Sequence, residues 1–176
     1  GVLVFGVLYG VLVAVGLSVL LLLVEVARPH SAVLGFVPDL AGMHDITDFP
    51  DAQEEPGLLI FRYDSPLFFA NADNFLNKAR QAMQERMPGL EWFALQCEAI
   101  IEIDSTGVDA VQALADEVHA AGIRFTLVRA KSELVESLAK TPLVGQIGED
   151  YIFPTLPTLV GAYRVRHGSD GEGSAG

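Results

Sequence analysis

The sequence has few cysteines and few basic residues. Cys97 is the single cysteine among 176 residues, so no disulfide can form within the chain, which fits a reducing compartment. Lysine and arginine number 11 against 23 aspartates and glutamates, and the formal net charge is −12. A protein that binds nucleic acid needs a basic face to neutralise phosphates. The charge balance therefore excludes nucleic acid as an expected partner.

The first 24 residues contain no charged side chain, and the first charge in the chain is Glu25. A helix of that length is roughly 36 Å long, against about 30 Å for the hydrocarbon core of a bilayer. Residues 1–24 are therefore predicted to form a transmembrane helix. A secretory signal peptide is the alternative, but it would have a basic start, a shorter apolar core and a small-residue cleavage site. None of these is clear in the sequence.

The sequence also lacks the short motifs of common catalytic and metal sites. It has no glycine-rich phosphate loop of the Walker type, no HExxH and no clustered Cys and His ligands. Glu98 and Glu102 have no base, nucleophile or metal ligand close to them in sequence. The histidines are scattered along the chain, at His30, His44, His119 and His167. We therefore expect that the chain is not an enzyme and that it needs no metal.

Two segments, one directly after the predicted helix and one at the end of the chain, are expected to lack a core of their own. Residues 25–56 are rich in Pro, Gly and Asp and are predicted to form a linker. Residues 164–176, rich in Gly, Ser and Asp towards the end, are predicted to be a disordered tail. Arg28 and His30 follow the apolar stretch and no basic residue precedes it, which places the rest of the chain in the cytoplasm by the positive-inside tendency.

Residues 57–163 alternate between strand and helix patterns and are predicted to form one domain. Leu58–Tyr63 and Leu67–Ala70 are predicted to pair as a hairpin around Asp64-Ser65-Pro66. Asn71 or Asp73 is predicted to cap a helix that follows. Further strands are expected at residues 91–103, 125–128 and 151–153, and further helices from about residues 105, 132 and 154. The pattern predicts an α/β fold in which a mixed sheet is flanked by helices.

Asp104-Ser105-Thr106-Gly107 lies between the predicted central strand and an amphipathic helix, and it has two interpretations. Asp, Ser and Thr are preferred helix N-caps, so the segment can be a structural cap alone. The same helix end is electropositive and presents free N–H groups, so it can hold an anion or a phosphorylated hydroxyl. It also lies at the carboxyl edge of the sheet, where ligands of open α/β folds bind. The short motif does not decide between the two.

Five motifs occur in order along the chain: Arg28-Pro29-His30, Val37-Pro38, Gly57-Leu58-Leu59-Ile60 with Arg62 and Asp64, Pro66-Leu67-Phe68-Phe69-Ala70-Asn71-Ala72, and Asp104-Ser105-Thr106-Gly107-Val108-Asp109-Ala110. This ordered set resembles the SulP anion transporters, from the end of the last membrane helix through the STAS domain. STAS domains are shared by sulfate transporters and anti-sigma-factor antagonists, and they have a mixed sheet flanked by helices. The resemblance covers roughly residues 20–163.

The resemblance implies that the chain is the C-terminal part of a homodimeric, secondary-active sulfate or related anion transporter in the cell membrane. Its STAS domain is then a cytoplasmic regulatory domain, in contact with regulatory proteins, that modulates transport and assembly. The transport site itself is expected upstream of Gly1. A glycine within an apolar run at the start of the chain also suggests a fragment of a longer polypeptide.

The resemblance also implies two alternative roles for the turn at Asp104. In the anti-sigma-factor antagonists, a partner kinase phosphorylates the first hydroxyl after the aspartate, and Ser105 matches that position with Thr106 beside it. Some members of the transporter family are described as nucleotide-responsive, so Asp104 to Gly107 is also a candidate nucleotide or anion site. The strand before the motif departs from the family pattern, because Gln96-Cys97-Glu98 replaces the usual hydrophobic-acidic-hydrophobic run.

Overall fold

The computed structural model describes residues 2–38 and 40–172, so that Gly1, Asp39 and the last four residues lie outside it. The chain begins with helix α1 (Val2–Ala27). The part of it from Gly6 to Ala27 is 22 residues long and apolar enough to cross a membrane, and none of it is buried in the protein. The expected apolar helix is therefore present, with no buried face against the rest of the described chain.

The remaining chain is built on a six-stranded sheet with the strand order β2-β1-β3-β4-β5-β6. Strands β3 to β6 are parallel, whereas β1 is antiparallel to both of its neighbours, β2 and β3. The sheet is therefore mixed, as predicted. The strands are β1 (Ser31–Phe36), β2 (Met43–Asp45), β3 (Leu58–Tyr63), β4 (Trp92–Gln96), β5 (Arg124–Val128) and β6 (Ile152–Phe153).

Helices cover both faces of the sheet, and each connects or follows strands as a parallel sheet requires. Amphipathic spacing is clear in α3 (Ser105–Ala120), which buries seven residues on one side and exposes acidic residues on the other. Gly122 follows α3 with a φ of 76°, the left-handed conformation expected just after a helix end. The helices are α2 (Ala72–Gln84), α3 (Ser105–Ala120), α4 (Ser132–Leu138), α5 (Leu143–Ile147) and α6 (Leu156–Glu172), with a 3-10 turn at Glu149–Tyr151.

Two apolar layers lie on opposite faces of the sheet, because successive side chains of a strand point to opposite sides. Phe93 of β4 packs in the larger layer with Leu114 of α3. Its neighbour Trp92 packs in the smaller layer with Leu159 and Tyr163 of α6. The Trp92 and Tyr163 ring centroids are 5.4 Å apart in an edge-to-face arrangement. The central strand β4 is therefore buried on both faces, as its continuous apolar run predicts.

The predicted hairpin is wrong. Both edges of β3 are occupied, by β1 on one side and β4 on the other, so no edge remains for the 67–70 segment. Leu67 instead forms a single parallel bridge with Ile103. The predicted central strand is also too long, because β4 ends at Gln96 and the chain turns there, with the Ile100 N–H donating to the Cys97 carbonyl at 3.0 Å.

The two segments that were predicted to be a linker and a disordered tail contain regular elements. The predicted linker of residues 25–56 contains β1 and β2, and β1 is a full partner of β3. The predicted tail from residue 164 continues α6 as far as Glu172. Arg164 within it pairs with Glu55, a contact that local composition does not reveal.

Candidate functional site

Asp104 immediately precedes α3 and uses both carboxylate oxygens. Its Oδ1 accepts a hydrogen bond from the Gly107 N–H at 2.8 Å, which caps the helix. Its Oδ2 accepts from the Phe69 N–H at 2.9 Å, thirty-five residues away in sequence. The Asp104 N–H also donates to the Leu67 carbonyl at 3.1 Å. Asp104 is thus the predicted N-cap, and it also fastens the segment after β3 to the start of α3.

Gly107 allows this close contact between α3 and the 66–70 segment. A Cβ atom at Gly107 would lie 2.6 Å from the Leu67 carbonyl oxygen and 2.8 Å from Cγ1 of Ile103. Backbone atoms at that distance cannot move aside as the end of a side chain can. A glycine is therefore required here because two backbone segments meet, and not because of the helix itself.

Ser105 and Thr106 form the first turn of α3 and are both exposed. Within the part of the chain that the structure describes, neither hydroxyl makes a side-chain hydrogen bond. Both are therefore accessible to a modifying enzyme or another partner. Their roles as phospho-acceptors, and the role of the turn as an anion or nucleotide site, stay predictions.

A groove of about 600 Å³ adjoins the turn. Three carboxylates line it and, among the described lining residues, no lysine or arginine does. Its lining combines apolar and acidic side chains, namely Pro66, Leu67, Phe68, Ile101, Glu102, Ile103, Asp104, Glu133, Leu134 and Ser137. A smaller neighbouring hollow of about 280 Å³ contains Ser105 and one basic residue, Lys140. The negative charge of these carboxylates therefore disfavours the binding of an anion at this end of α3. In addition, the Gly107 N–H is already hydrogen-bonded to the Asp104 carboxylate.

Asn71 stabilises the same region in a way that the sequence did not indicate. It occupies the N-cap position of α2, as predicted, but its side chain makes no capping bond. Its Oδ1 instead accepts from the Phe68 N–H at 3.0 Å, and its Nδ2 donates to the Pro66 carbonyl at 2.9 Å. The side chain is fully buried. Asn71 and Asp104 thus both bind the backbone of the 66–70 segment, Asn71 at Pro66 and Phe68 and Asp104 at Leu67 and Phe69.

The segment that departs from the family pattern lies beside this site without joining it. The Gln96 side chain is buried and its Nε2 donates to Glu98 Oε2 at 3.0 Å. Glu98 in turn lies 2.8 Å from Arg129. Burial raises the pKa of the Cys97 thiol to about 12, so Cys97 is a structural thiol, as predicted. Among the described residues, no group of three or more His, Cys, Asp or Glu side chains forms a metal site.

Comparison with known proteins identifies the domain. A sequence model of the STAS domain matches residues 49–159. The "Probable sulfate transporter Rv1739c" of Mycobacterium tuberculosis (strain ATCC 25618 / H37Rv) is 51% identical over 161 residues, which are 92% of this chain and 29% of that protein. The chain therefore spans less than a third of the length of this curated relative.

Solved structures agree with this fold. The murine Slc26a9 anion transporter in its inward-facing state superposes with a TM-score of 0.73 at 23% identity, over 86% of this chain and 25% of that chain. The STAS domain of a SulP transporter from Vibrio cholerae superposes with a TM-score of 0.56 at 19% identity, over 70% of this chain and 94% of that chain. The chain thus belongs to the STAS domain family, and its sequence is similar to that of a sulfate transporter.

Proposed function

We propose that the chain is the C-terminal part of a secondary-active sulfate or related anion transporter. In this proposal α1 is the last membrane helix, and the STAS domain is a cytoplasmic, non-enzymatic module that modulates transport and the assembly of a homodimer. The observation that carries the proposal is the direct fusion of an unburied apolar helix to a STAS domain, with three residues between α1 and β1. The similarity to a sulfate transporter supports it.

The exposed surface of α1 supports a membrane location. Its described side chains from Gly6 onwards are mostly apolar and include many exposed Val and Leu, and none of this stretch is buried against the sheet domain. In water this apolar surface would stay exposed to solvent, which is unfavourable. In a membrane, lipid and neighbouring membrane helices would bury it. Arg28 follows the helix directly, as expected at a cytoplasmic end. Membrane lipid is therefore a partner in this proposal.

The domain is proposed to act on transport through its connection to α1 and not through an anion site of its own. The 66–70 segment is held by Asp104 at the start of α3. A few residues earlier, the Asp64 N–H donates to the carbonyl of His30, at the entry from α1. A partner protein bound at the first turn of α3 could therefore affect the membrane helix through two contacts, that of Asp104 with the 66–70 segment and that of Asp64 with His30. In this proposal the site that binds the transported anion lies upstream of Gly1.

Sulfate uptake by the full-length protein tests this proposal. Cells that lack their own sulfate uptake would express either the native protein or the Asp104→Ala variant, with Asp109→Ala as the matched control on the same helix. We expect uptake with the native protein and with Asp109→Ala. We expect lower uptake for Asp104→Ala at equal abundance in the membrane. An absence of uptake of any inorganic anion by the native protein would contradict the proposal.

A phosphorylation switch at Ser105 is the second candidate function. The observation that favours it is the exposure of Ser105, the first residue of α3. A phosphate there would add about −1.5 to −2 charges beside the Asp104 carboxylate. The repulsion would weaken the Asp104 bond to Phe69 and release the 66–70 segment.

Phosphate incorporation separates this second function from the first. The purified chain would be incubated with ATP and extract of its own cells, and its intact mass measured. Ser132 is a matched control, because it is the exposed first residue of α4. An 80-dalton adduct, the mass of one phosphoryl group, that Ser105→Ala removes and Ser132→Ala retains would support the switch. An unmodified chain would count against it.

Nucleotide sensing at Asp104 to Gly107 is a third proposal, and the acidic lining of the groove opposes it. It is supported only by the free N–H groups at the start of α3. Titration with GTP and ATP, followed by the amide signals of Ser105 and Thr106, tests it. Shifts at these amides would support a site, and unchanged signals at millimolar nucleotide would remove it.

A further inference from the structure

The joint between α1 and the sheet domain is short and fixed at one residue. Only Arg28, Pro29 and His30 separate the end of α1 from the start of β1. The His30 carbonyl accepts a hydrogen bond from the Asp64 N–H at 3.0 Å. The next residue, Ser31, is paired with Tyr63 in the antiparallel β1–β3 ladder. The chain therefore enters the domain at His30, next to the end of β3.

The side chain of His30 makes a second connection, to β2. Its Nε2 lies 3.0 Å from Oδ2 of Asp45, the last residue of β2. Asp45 is 4% exposed, whereas the His30 side chain is 58% exposed and can exchange protons with water. The other Asp45 oxygen accepts from the Thr47 N–H at 2.8 Å. His30 thus joins the entry point of the chain to the edge strand of the sheet.

Asp64 and His44, which lie near this pair, have different partners. Asp64, at the end of β3, pairs with Arg62 at 2.7 Å. His44, beside Asp45 on β2, bonds through its Nε2 to the Ala41 carbonyl at 3.2 Å. Arg28 lies two residues from His30 on its own segment. Among the described residues, Asp45 is the carboxylate within ion-pair distance of the His30 ring.

The chemistry of the pair changes with pH. Burial acts to raise the pKa of Asp45, but hydrogen bonds from Thr47 and His30 outweigh it, and the pKa lies below its usual value. Asp45 is therefore ionised throughout the range in which histidine side chains gain their charge. A neutral His30 donates a hydrogen bond that is already charge-assisted, because the acceptor carboxylate is ionised. A protonated His30 adds the attraction between two opposite charges.

We propose that His30 and Asp45 form a pH-responsive latch, which holds the joint between the apolar helix and the STAS domain more tightly in acid than in alkali. When the latch is closed, the end of α1 is tied to β2 as well as to β3. When His30 loses its proton, the connection to β2 weakens and the joint depends on the β1–β3 ladder. The latch thus makes the stiffness of the joint depend on the pH around the domain.

Hydrogen exchange of the whole chain in detergent micelles tests the latch. The Asp64 amide is the reporter, because its N–H donates to the His30 carbonyl. Its protection factor, which corrects for the intrinsic effect of pH on exchange, would be compared at about pH 5.5 and about pH 8, on either side of the usual histidine transition. We expect protection on the order of two- to fivefold greater at the lower pH, because the charge gained by His30 forms an ion pair that is partly exposed to water.

Two variants show whether His30 causes the change. His30→Gln keeps an amide that can donate to Asp45 but carries no proton-dependent charge, so its protection is expected to be equal at both pH values. His44→Gln, a neighbouring histidine with a different partner, is expected to keep the native change. Asp45→Asn, which removes the carboxylate charge, is a second variant expected to abolish it.

A native protection factor that does not vary with pH would overturn the proposal. So would a His30→Gln variant that retains the native change, because another group would then be responsible. These outcomes are separate from the proposed function, which is tested by sulfate uptake and membrane fractionation. A chain that fails to transport could still have the latch, and a transporter could lack it.

Discussion

Helices α1 and α3 are both rich in apolar residues, but their surroundings differ. Helix α3 buries Val111, Leu114 and Val118 against the sheet and α2. In α1, Leu12 and Leu20 are more than half exposed, and no part of the apolar stretch is buried. A helix in water is stabilised mainly by burying one apolar face. Helix α3 is therefore stabilised within this domain, whereas α1 needs a covering from outside it.

The largest expected difference between the two regions comes from truncating an apolar side chain in each. Phe93 is fully buried and stacks on Phe125 with ring centroids 5.8 Å apart. Phe93→Ala is expected to lower the free energy of unfolding of the domain by about 3–5 kcal/mol. Leu12→Ala in α1 is expected to leave it unchanged. Urea unfolding in detergent, followed by fluorescence of Trp92, measures both, and equal losses would contradict the comparison.

The next effect concerns two glycines in helices. Gly107→Ala places a Cβ 2.6 Å from the Leu67 carbonyl and is expected to cost about 1–3 kcal/mol of unfolding free energy. Gly145 in α5 has no atom within 4 Å of the same position. Gly145→Ala is expected to stabilise the domain by about 0.5–1 kcal/mol, because alanine favours helix. Opposite signs in urea unfolding support the close contact at Gly107, and a stabilising Gly107→Ala would refute it.

A smaller effect is expected at the cap of α3. Asp104→Ala removes the bonds to the Gly107 and Phe69 N–H groups and is expected to cost about 1–2 kcal/mol. Faster hydrogen exchange of the Phe69 amide should accompany it. Asp109→Ala, on the exposed side of α3, is expected to change stability by less than about 0.5 kcal/mol. If both variants behaved alike, Asp104 would not connect the two segments.

The smallest effect is a pH dependence of the contact between α2 and α3. Hydrogen bonds from Arg80 hold the pKa of Glu117 below its usual value. The pair therefore stabilises the domain above about pH 4.5, the usual glutamate pKa, and this contribution is lost as the pH falls through the lower folded value. Because both side chains are 38% exposed, we expect less than about 1 kcal/mol.

Unfolding measured between about pH 6 and pH 3, the range in which glutamates titrate, tests this contact. Glu117→Gln should reduce the loss of stability in acid. Glu136→Gln, at an exposed position of α4, should retain it. Identical curves for the two variants would show that the ion pair contributes nothing to the α2–α3 contact.

Much of the fold could be predicted from local sequence. Trp92–Leu95 is continuously apolar and forms the buried strand β4, and the spacing from Val108 to Val118 matches the buried side of α3. Asp104 could be predicted as a helix N-cap, because its residue type and its position between a strand and a helix are enough for that prediction. Local pattern carries these predictions, since the residues that decide each element lie within that element.

Features that depend on distant partners could not be predicted in the same way. The residues of β1 resemble linker because Pro and Gly surround them, and only pairing with β3 makes them a strand. The bond from Phe69 to Asp104 joins residues thirty-five positions apart. Asn71 or Asp73 was expected to cap α2, but the Asn71 side chain instead bonds to the backbone of the 66–70 segment. No local signal distinguishes these arrangements from the predicted ones.

The most direct test of a membrane-anchored STAS domain is fractionation of the chain with and without α1. Cells would express residues 1–176 or residues 28–176, and their membranes would be washed with alkaline carbonate. We predict that the whole chain stays with the membranes and is released only by detergent, whereas the shorter chain is found folded in the soluble fraction. Recovery of the whole chain in the soluble fraction without detergent would contradict the account.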